Sequence, residues 1–402
     1  MKKLSQVYSA LMIFLLVTSA CGQRANAHQD DSPEFLLFQT IDYMFKDKWY
    51  HTLSGSVPKL VMCDTVFRQQ HVYIAPVIIN YQPDKNNRVD VRYSVKIFRP
   101  DQSVYITCDN LPLVNRQIVN TNTLQLCDSV LRISFKENDP FGTYKIEVSV
   151  TDNIARKTMK KQSEVVLAQL PDYDRFMVKS YEDFVPWITG YYESQTPEQA
   201  LSYFMFLTRQ NLPVDDRAFI SSFYAFLEIV NNNHFLYPQI ISCYESQDDL
   251  KTRIYLLYLL AHSNIDTTDF GEKLEEVEKF TFDKMLEMHK PGLYDTIRES
   301  VQVDKLWATF MANGSYLPVL KLIRTLDYTK YQGALDKFET SAKTKDDVES
   351  ALLNAVYDRL VWSLESNCED HKLVSDYCNW AYQNENLTDV QKEELKKILF
   401  RK

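Results

Sequence analysis

The spacing of apolar positions changes once along the chain, from a period of two before about residue 170 to a helical period after about residue 180. Residues 88–99 (RVDVRYSVKIFR) place Val89, Val91, Tyr93, Val95 and Ile97 on one side, with Asp90, Arg92, Ser94 and Lys96 on the other. Residues 143–152 (TYKIEVSVTD) repeat the alternation, with Tyr144, Ile146, Val148 and Val150 facing in. Shorter strand-like runs cover residues 71–81, 103–108, 130–135 and 163–167, separated by turn-forming stretches such as QPDKNN and RPDQ. Six or seven short strands of this kind predict an antiparallel sandwich over residues 58–168. Ahead of it, residues 35–45 (FLLFQTIDYMF) predict a short helix, with Ser32 as cap and Pro33 at the first position, packed onto the domain that follows.

The second half reads as all-helical. Thr196-Pro197-Glu198-Gln199 and Thr388-Asp389-Val390-Gln391 have the form of capping boxes. Residues 254–261 (IYLLYLLA) are apolar all round, as in a central buried helix, and are too few to cross a bilayer. Leu353, Tyr357, Leu360 and Leu364 form one stripe, and residues 303–312 and 316–326 form two helices hinged at Asn313-Gly314-Ser315. Nine to eleven helices with short links are expected over residues 169–402. Their paired antiparallel order resembles TPR- and HEAT-type arrays, without a sustained repeat at 34 or about 40 residues. The fold class is therefore multidomain, β followed by α, ending in an irregular helical array or solenoid.

Within the β part, Asp139-Pro140-Phe141-Gly142-Thr143-Tyr144, followed by Ile146 and Val148, resembles the penultimate-strand corner of immunoglobulin-like modules, including macroglobulin-like and bacterial envelope variants. The resemblance implies a glycine in a backbone shape other residues resist and a tyrosine that closes the turn through its hydroxyl. Ile146 stands where antibody domains have cysteine, so it implies no antibody-type disulfide.

At the amino terminus, Lys2, Lys3 and the apolar run 11–17 (LMIFLLV), followed by small residues, form an export signal over residues 1–20. Thr18-Ser19-Ala20-Cys21 resembles a bacterial lipobox, which implies acylation of Cys21. Ala25-Asn26-Ala27 offers a competing cleavage site, with a secreted or soluble periplasmic protein as the alternative. Residues 21–57 then serve as tether and short helix. Exported sandwich and helical array together resemble bacterial envelope lipoproteins carrying SLxSN and a following His in a late helix-to-helix turn, here Ser363-Leu364-Glu365-Ser366-Asn367 and His371.

Charge narrows the partners. Residues 58–168 carry 15 basic and 11 acidic side chains, near +4, while residues 169–402 sit near −13, within a total of −9. An acidic larger half disfavours nucleic acid, whose phosphates require basic clusters. Only 8 of 402 residues are glycine, none grouped to cradle a phosphate. Six cysteines lie beyond Cys21. Cys108 with Cys127, in neighbouring strand-like segments, and Cys368 with Cys378 are the candidate disulfides in an oxidising compartment.

Catalytic patterns are sparse. The chain has no G-x-S-x-G elbow, and Ser56-Val57-Pro58-Lys59 matches S-x-x-K without its companion motifs. Seven scattered histidines include no H-E-x-x-H, and Cys368-Glu369-Asp370-His371 with Cys378 lacks a complete ligand set, so no metal or cofactor is expected. Glu245, Asp248 and Asp249 suit a helix start, and Phe184, Trp187 and Tyr191 suit a helical core. The expectation is a membrane-anchored envelope protein that acts as a non-enzymatic scaffold for another envelope protein. The alternative is a cell-wall or polysaccharide-acting enzyme with a carboxylate site among the helices.

Overall fold

The computed structural model describes residues 33–53, 59–118, 123–210, 217–287, 295–340 and 344–400. The chain has a β-rich amino-terminal part and a helical carboxy-terminal part. Nine strands are described: β1 (Glu34–Thr40), β2 (Thr65–Val66), β3 (His71–Ile79), β4 (Arg88–Phe98), β5 (Val104–Gln117), β6 (Gln125–Leu126), β7 (Leu131–Ser134), β8 (Gly142–Asp152) and β9 (Lys157–Leu167). One sheet has the order β1-β3-β6, with β7 also on β3; the other, a curled half-barrel, has the order β2-β9-β8-β4-β5. Val72 and Ile74 from the first and Val91, Val95, Ile146 and Val148 from the second share one core, so the alternating positions meet as the period of two requires. The β2–β9 pairing is parallel, unlike the all-antiparallel arrangement the pattern suggested.

The helix expected over residues 35–45 does not form: residues up to Thr40 are a strand, and a turn leads from it to Phe45. β1 runs antiparallel to β3 from Glu34 opposite Ile79 to Thr40 opposite Tyr73. A short apolar run does not distinguish strand from buried helix by its own periodicity. Here β3 has a sheet edge to be paired, and Phe35 and Phe38 reach the shared core from the strand position. The described part of residues 21–57 is thus built into the fold, and its helix comes later, as α1 (Phe45–Tyr50).

The corner before β8 closes as its sequence implied. Gly142 has φ +135°, where a side chain is strained, and Tyr144 Oη donates to Pro140 O at 3.0 Å. Asp139 Oδ2 accepts from Lys136 N and from Tyr105 Oη, both at 2.7 Å, and fixes the approach to the turn.

The helical part contains α2 (Tyr181–Thr189), α3 (Tyr191–Ser194), α4 (Ala200–Arg209), α5 (Arg217–Asn232), α6 (Tyr237–Glu245), α7 (Leu250–His262), α8 (Thr268–Gly271), α9 (Glu276–Glu287), α10 (Ser300–Asn313), α11 (Tyr316–Arg324), α12 (Ala334–Thr340), α13 (Lys345–Asp370), α14 (Lys372–Asn384) and α15 (Asp389–Leu399). The excess over the expected nine to eleven comes from short elements such as α3 and α8, whose four residues are too few to show a period. Two apolar clusters organise the helices: one holds Phe204, Phe226, Leu256 and Leu260, the other Phe310, Leu322, Leu360 and Tyr377. No described helix is long and apolar enough to cross a membrane.

Local signals differ in outcome. Thr388 and Gln391 form the reciprocal capping box at the start of α15. Thr196 caps nothing: Pro197–Gln199 is a single 3₁₀ turn, and the Thr196 hydroxyl instead accepts from Trp187 Nε1 at 2.9 Å. Ser363 to Asn367 lie within α13, and the helix-to-helix turn begins only at His371.

Candidate functional site

The two parts of the molecule meet around α1. Asp42 follows β1 and accepts from Met44 N through Oδ1 at 2.9 Å, starting the turn into the helix. One helical turn into α1, Lys48 Nζ donates to Asp42 Oδ2 at 2.7 Å and to Tyr192 O at 2.9 Å. Both charged side chains are sealed, 1% and 0% exposed, so this pair is isolated from solvent screening. Gly314, at φ +69°, ends α10, and a Cβ there would meet Lys48 Cε and the Tyr192 ring. The glycine is required both by its backbone and by this close approach.

A neighbouring face of α1 meets α11. Asp47 Oδ2 accepts from Tyr316 N at 2.6 Å, satisfying a backbone donor at the helix start. His51 stacks on Tyr316 with ring centroids 4.0 Å apart and meets Trp380 edge-on at 4.7 Å. Burial alone would lower the His51 imidazole, but its contacts with Asp47 override that and hold it above the ordinary value of 6.5. Asn313 Nδ2 donates to Tyr43 Oη at 2.9 Å, so the Asn313-Gly314-Ser315 hinge is gripped from the β side.

Beside this junction lies a cleft of about 200 Å³ between the β3 end of the first sheet and the end of α5. Tyr43, Gln70, His71, Asn231, Asn233 and His234 are among its walls, and no lining residue is a carboxylate. Burial, then the Arg132 and His234 charges, lower the His71 imidazole, which favours its neutral form. Burial, then Glu228, raise the Tyr43 phenol. The cleft presents amides, imidazoles and phenols to a neutral hydrogen-bonding group. It lacks the paired carboxylates of a glycosidase.

The residues singled out by sequence divide accordingly. Cys21 and Ser56-Val57-Pro58 lie outside the described residues. Cys63, Cys108, Cys127, Cys243, Cys368 and Cys378 are all free thiols. Cys108 sits on β5, opposite Val95 in the half-barrel, whereas Cys127 follows β6 in the other sheet and its thiol is pushed up to about 12 by burial. Cys368 and Cys378 are brought together, Sγ to Sγ 3.5 Å, by the antiparallel turn from α13 to α14. No group of three His, Cys, Asp or Glu is arranged to hold a metal among the described residues. Asp249 caps α7 by accepting from Thr252 N at 2.8 Å, and Phe184 and Tyr191 are core residues.

Sequence reading did not find the outer face of α13. Val348, Leu352, Ala355, Arg359 and Trp362 are spaced by four, three, four and three residues, which sets them on one line along a helix. Val348, Leu352 and Trp362 are 42%, 55% and 58% exposed. Arg359 is drawn aside by Asp304 Oδ1, at 2.9 Å from Nε and 2.7 Å from Nη2, and lies over the Trp362 ring at 4.8 Å. The signal was present in the sequence, but the opposite stripe of Leu353, Tyr357, Leu360 and Leu364 accounted for the helix on its own.

No protein-family model matches the chain, and no curated protein matches it. Among the solved structures that match in part is a family 123 glycoside hydrolase from Clostridium perfringens, described for glycolipid glycan hydrolysis. It is 9% identical with a TM-score of 0.20, over 43% of this chain and 35% of that one. This chain thus spans about a third of that enzyme's length, and so loose a superposition carries no argument about fold or activity.

Proposed function

We propose that this protein is a non-enzymatic interaction scaffold of the bacterial cell envelope, exported and anchored through a lipid on Cys21. The observation that carries the scaffold reading is the row of exposed apolar side chains on α13, set in a half of the chain that carries about −13. Surfaces rarely leave large apolar groups in a line on one long helix unless something covers them. The buried junction at Lys48 supports the same reading, because it holds the β part rigidly against the array that presents α13. In this reading the β part is an immunoglobulin-like sandwich used as spacer or second contact, and the helices form a TPR- or HEAT-like array. The resemblance of Thr18-Ser19-Ala20-Cys21 to a lipobox supports the anchor.

Crosslinking in living cells, with recovery through the helical half, is the direct test. Enrichment of one envelope protein is the expected result; recovery of none, together with glycan turnover by the purified protein, would replace the scaffold with an enzyme. Labelling with a fatty-acid analogue tests the anchor separately. Label should appear on the wild-type chain and vanish in Cys21→Ser, whereas a mature terminus after Ala27 would show the soluble alternative.

A further inference from the structure

The exposed line on α13 has the geometry of half a coiled coil. Spacings of four and three repeated over Val348, Leu352, Ala355, Arg359 and Trp362 keep these positions within one narrow sector of the helix. The inner face is already spent on the core, with Leu353, Val356, Tyr357, Leu360 and Leu364 all buried. One edge of the line is acidic. Asp358, Glu365 and Glu369 recur after seven and four residues, and Glu349 stands on the other edge. Arg359, within the line, is paired with Asp304.

From this arrangement we infer that α13 docks a basic amphipathic helix of a partner protein, its leucine-type side chains lying between Leu352 and Trp362 and its lysines or arginines beside Asp358 and Glu369. The inference rests on the scaffold reading and names the chemistry of the partner. A second copy of this chain is a poor occupant, since two such edges would face carboxylate to carboxylate. An anionic membrane surface is disfavoured by the same charges. A helix with basic flanks removes both objections, and the exposed Trp362 at one end of the seam suits an anchor residue that docking would bury.

The test uses the full chain and two synthetic four-heptad peptides that share leucine cores and differ only in lysine or glutamate flanks. The lysine peptide should bind with a blue shift of tryptophan emission, weakening as salt rises. Leu352→Glu and Trp362→Ala should each weaken it by at least about tenfold. The double change Asp358→Lys with Glu369→Lys should reverse the preference between peptides. Circular dichroism of each variant should match the wild type, because these side chains lie outside the core. Equal binding of both peptides, unchanged binding by Leu352→Glu, or seam-dependent binding to phosphatidylglycerol vesicles would overturn the inference. Photocrosslinkers at Leu352 and on the β part separate this from the scaffold reading: a partner captured from the β part alone would end the α13 inference and leave the scaffold standing.

Discussion

At the scale of single residues, the junction concentrates the largest consequences. Replacing Lys48 with methionine leaves Asp42 buried without its countercharge, which costs about 3–5 kcal/mol. Urea unfolding should show that loss, and Asp42→Asn in the same chain should recover part of it, since the stranded charge is then gone. Gly314→Ala should also destabilise strongly, by more than the ~1–2 kcal/mol of a left-handed backbone alone, because the new Cβ runs into Lys48. Two histidines give opposite pH signatures. His51 is held above 6.5 in the folded state, so its contribution is fully present below that pH and is lost as the pH rises through the folded value. Burial lowers His371, with Asp370 and Glu193 opposing more weakly, so its contribution is present above 6.5 and is lost as the pH falls through the folded value. Relative to wild type, His51→Gln should therefore cost more stability at about pH 5.5 than at about pH 8, and His371→Gln should cost more at about pH 8. Urea midpoints at the two pH values distinguish them.

At the scale of elements, caps and pairings decide which local signals are used. Thr388→Ala should cost about 1 kcal/mol, because the Thr388 hydroxyl accepts from Gln391 N at 3.1 Å at the start of α15. Thr196→Ala breaks no cap and should act only through the Trp187 hydrogen bond. Between α13 and α14, the adjacent thiols of Cys368 and Cys378 are placed for a disulfide if the chain meets an oxidising thiol-disulfide exchange catalyst. The Cys378 thiol is raised well above its ordinary value by the Cys368 hydrogen bond and then by burial, so Cys368, the more exposed partner, should react first. Mass spectrometry of the exported protein should show the two linked and Cys108 and Cys127 unlinked, with thermal stability falling on reduction.

At the scale of the whole molecule, the β part and the helices behave as one body only while α1 holds them. Phe67 from the β part stacks on Phe235 of the helical part at 5.7 Å, and Tyr316 and Trp380 enclose His51, so the parts share apolar contacts around the Lys48 pair. Thermal unfolding of the wild type should therefore be a single transition. A chain with both Lys48→Met and His51→Ala should split it into two, read as separate calorimetric peaks.

Much of this architecture was legible in the order of residues. The alternation at 88–99 and 143–152 required β4 and β8, and the Pro140 to Tyr144 corner required its glycine and its hydrogen bond, because both are local consequences of side-chain period and backbone sterics. The stripe through Leu353 and Leu364 likewise required α13. Three things belonged to the tertiary structure alone. Residues 34–40 became a strand because β3 offered an unpaired edge, a fact held forty residues away. Lys48 became a buried structural charge because Asp42 and Tyr192 O converge on it, and nothing in FKDKWY marks that lysine from its neighbours. The seam on α13 became an exposed surface because the core needed only one of the helix's two apolar stripes. Sequence fixes which side chains share a face; only the packing of distant elements decides which face is left to water.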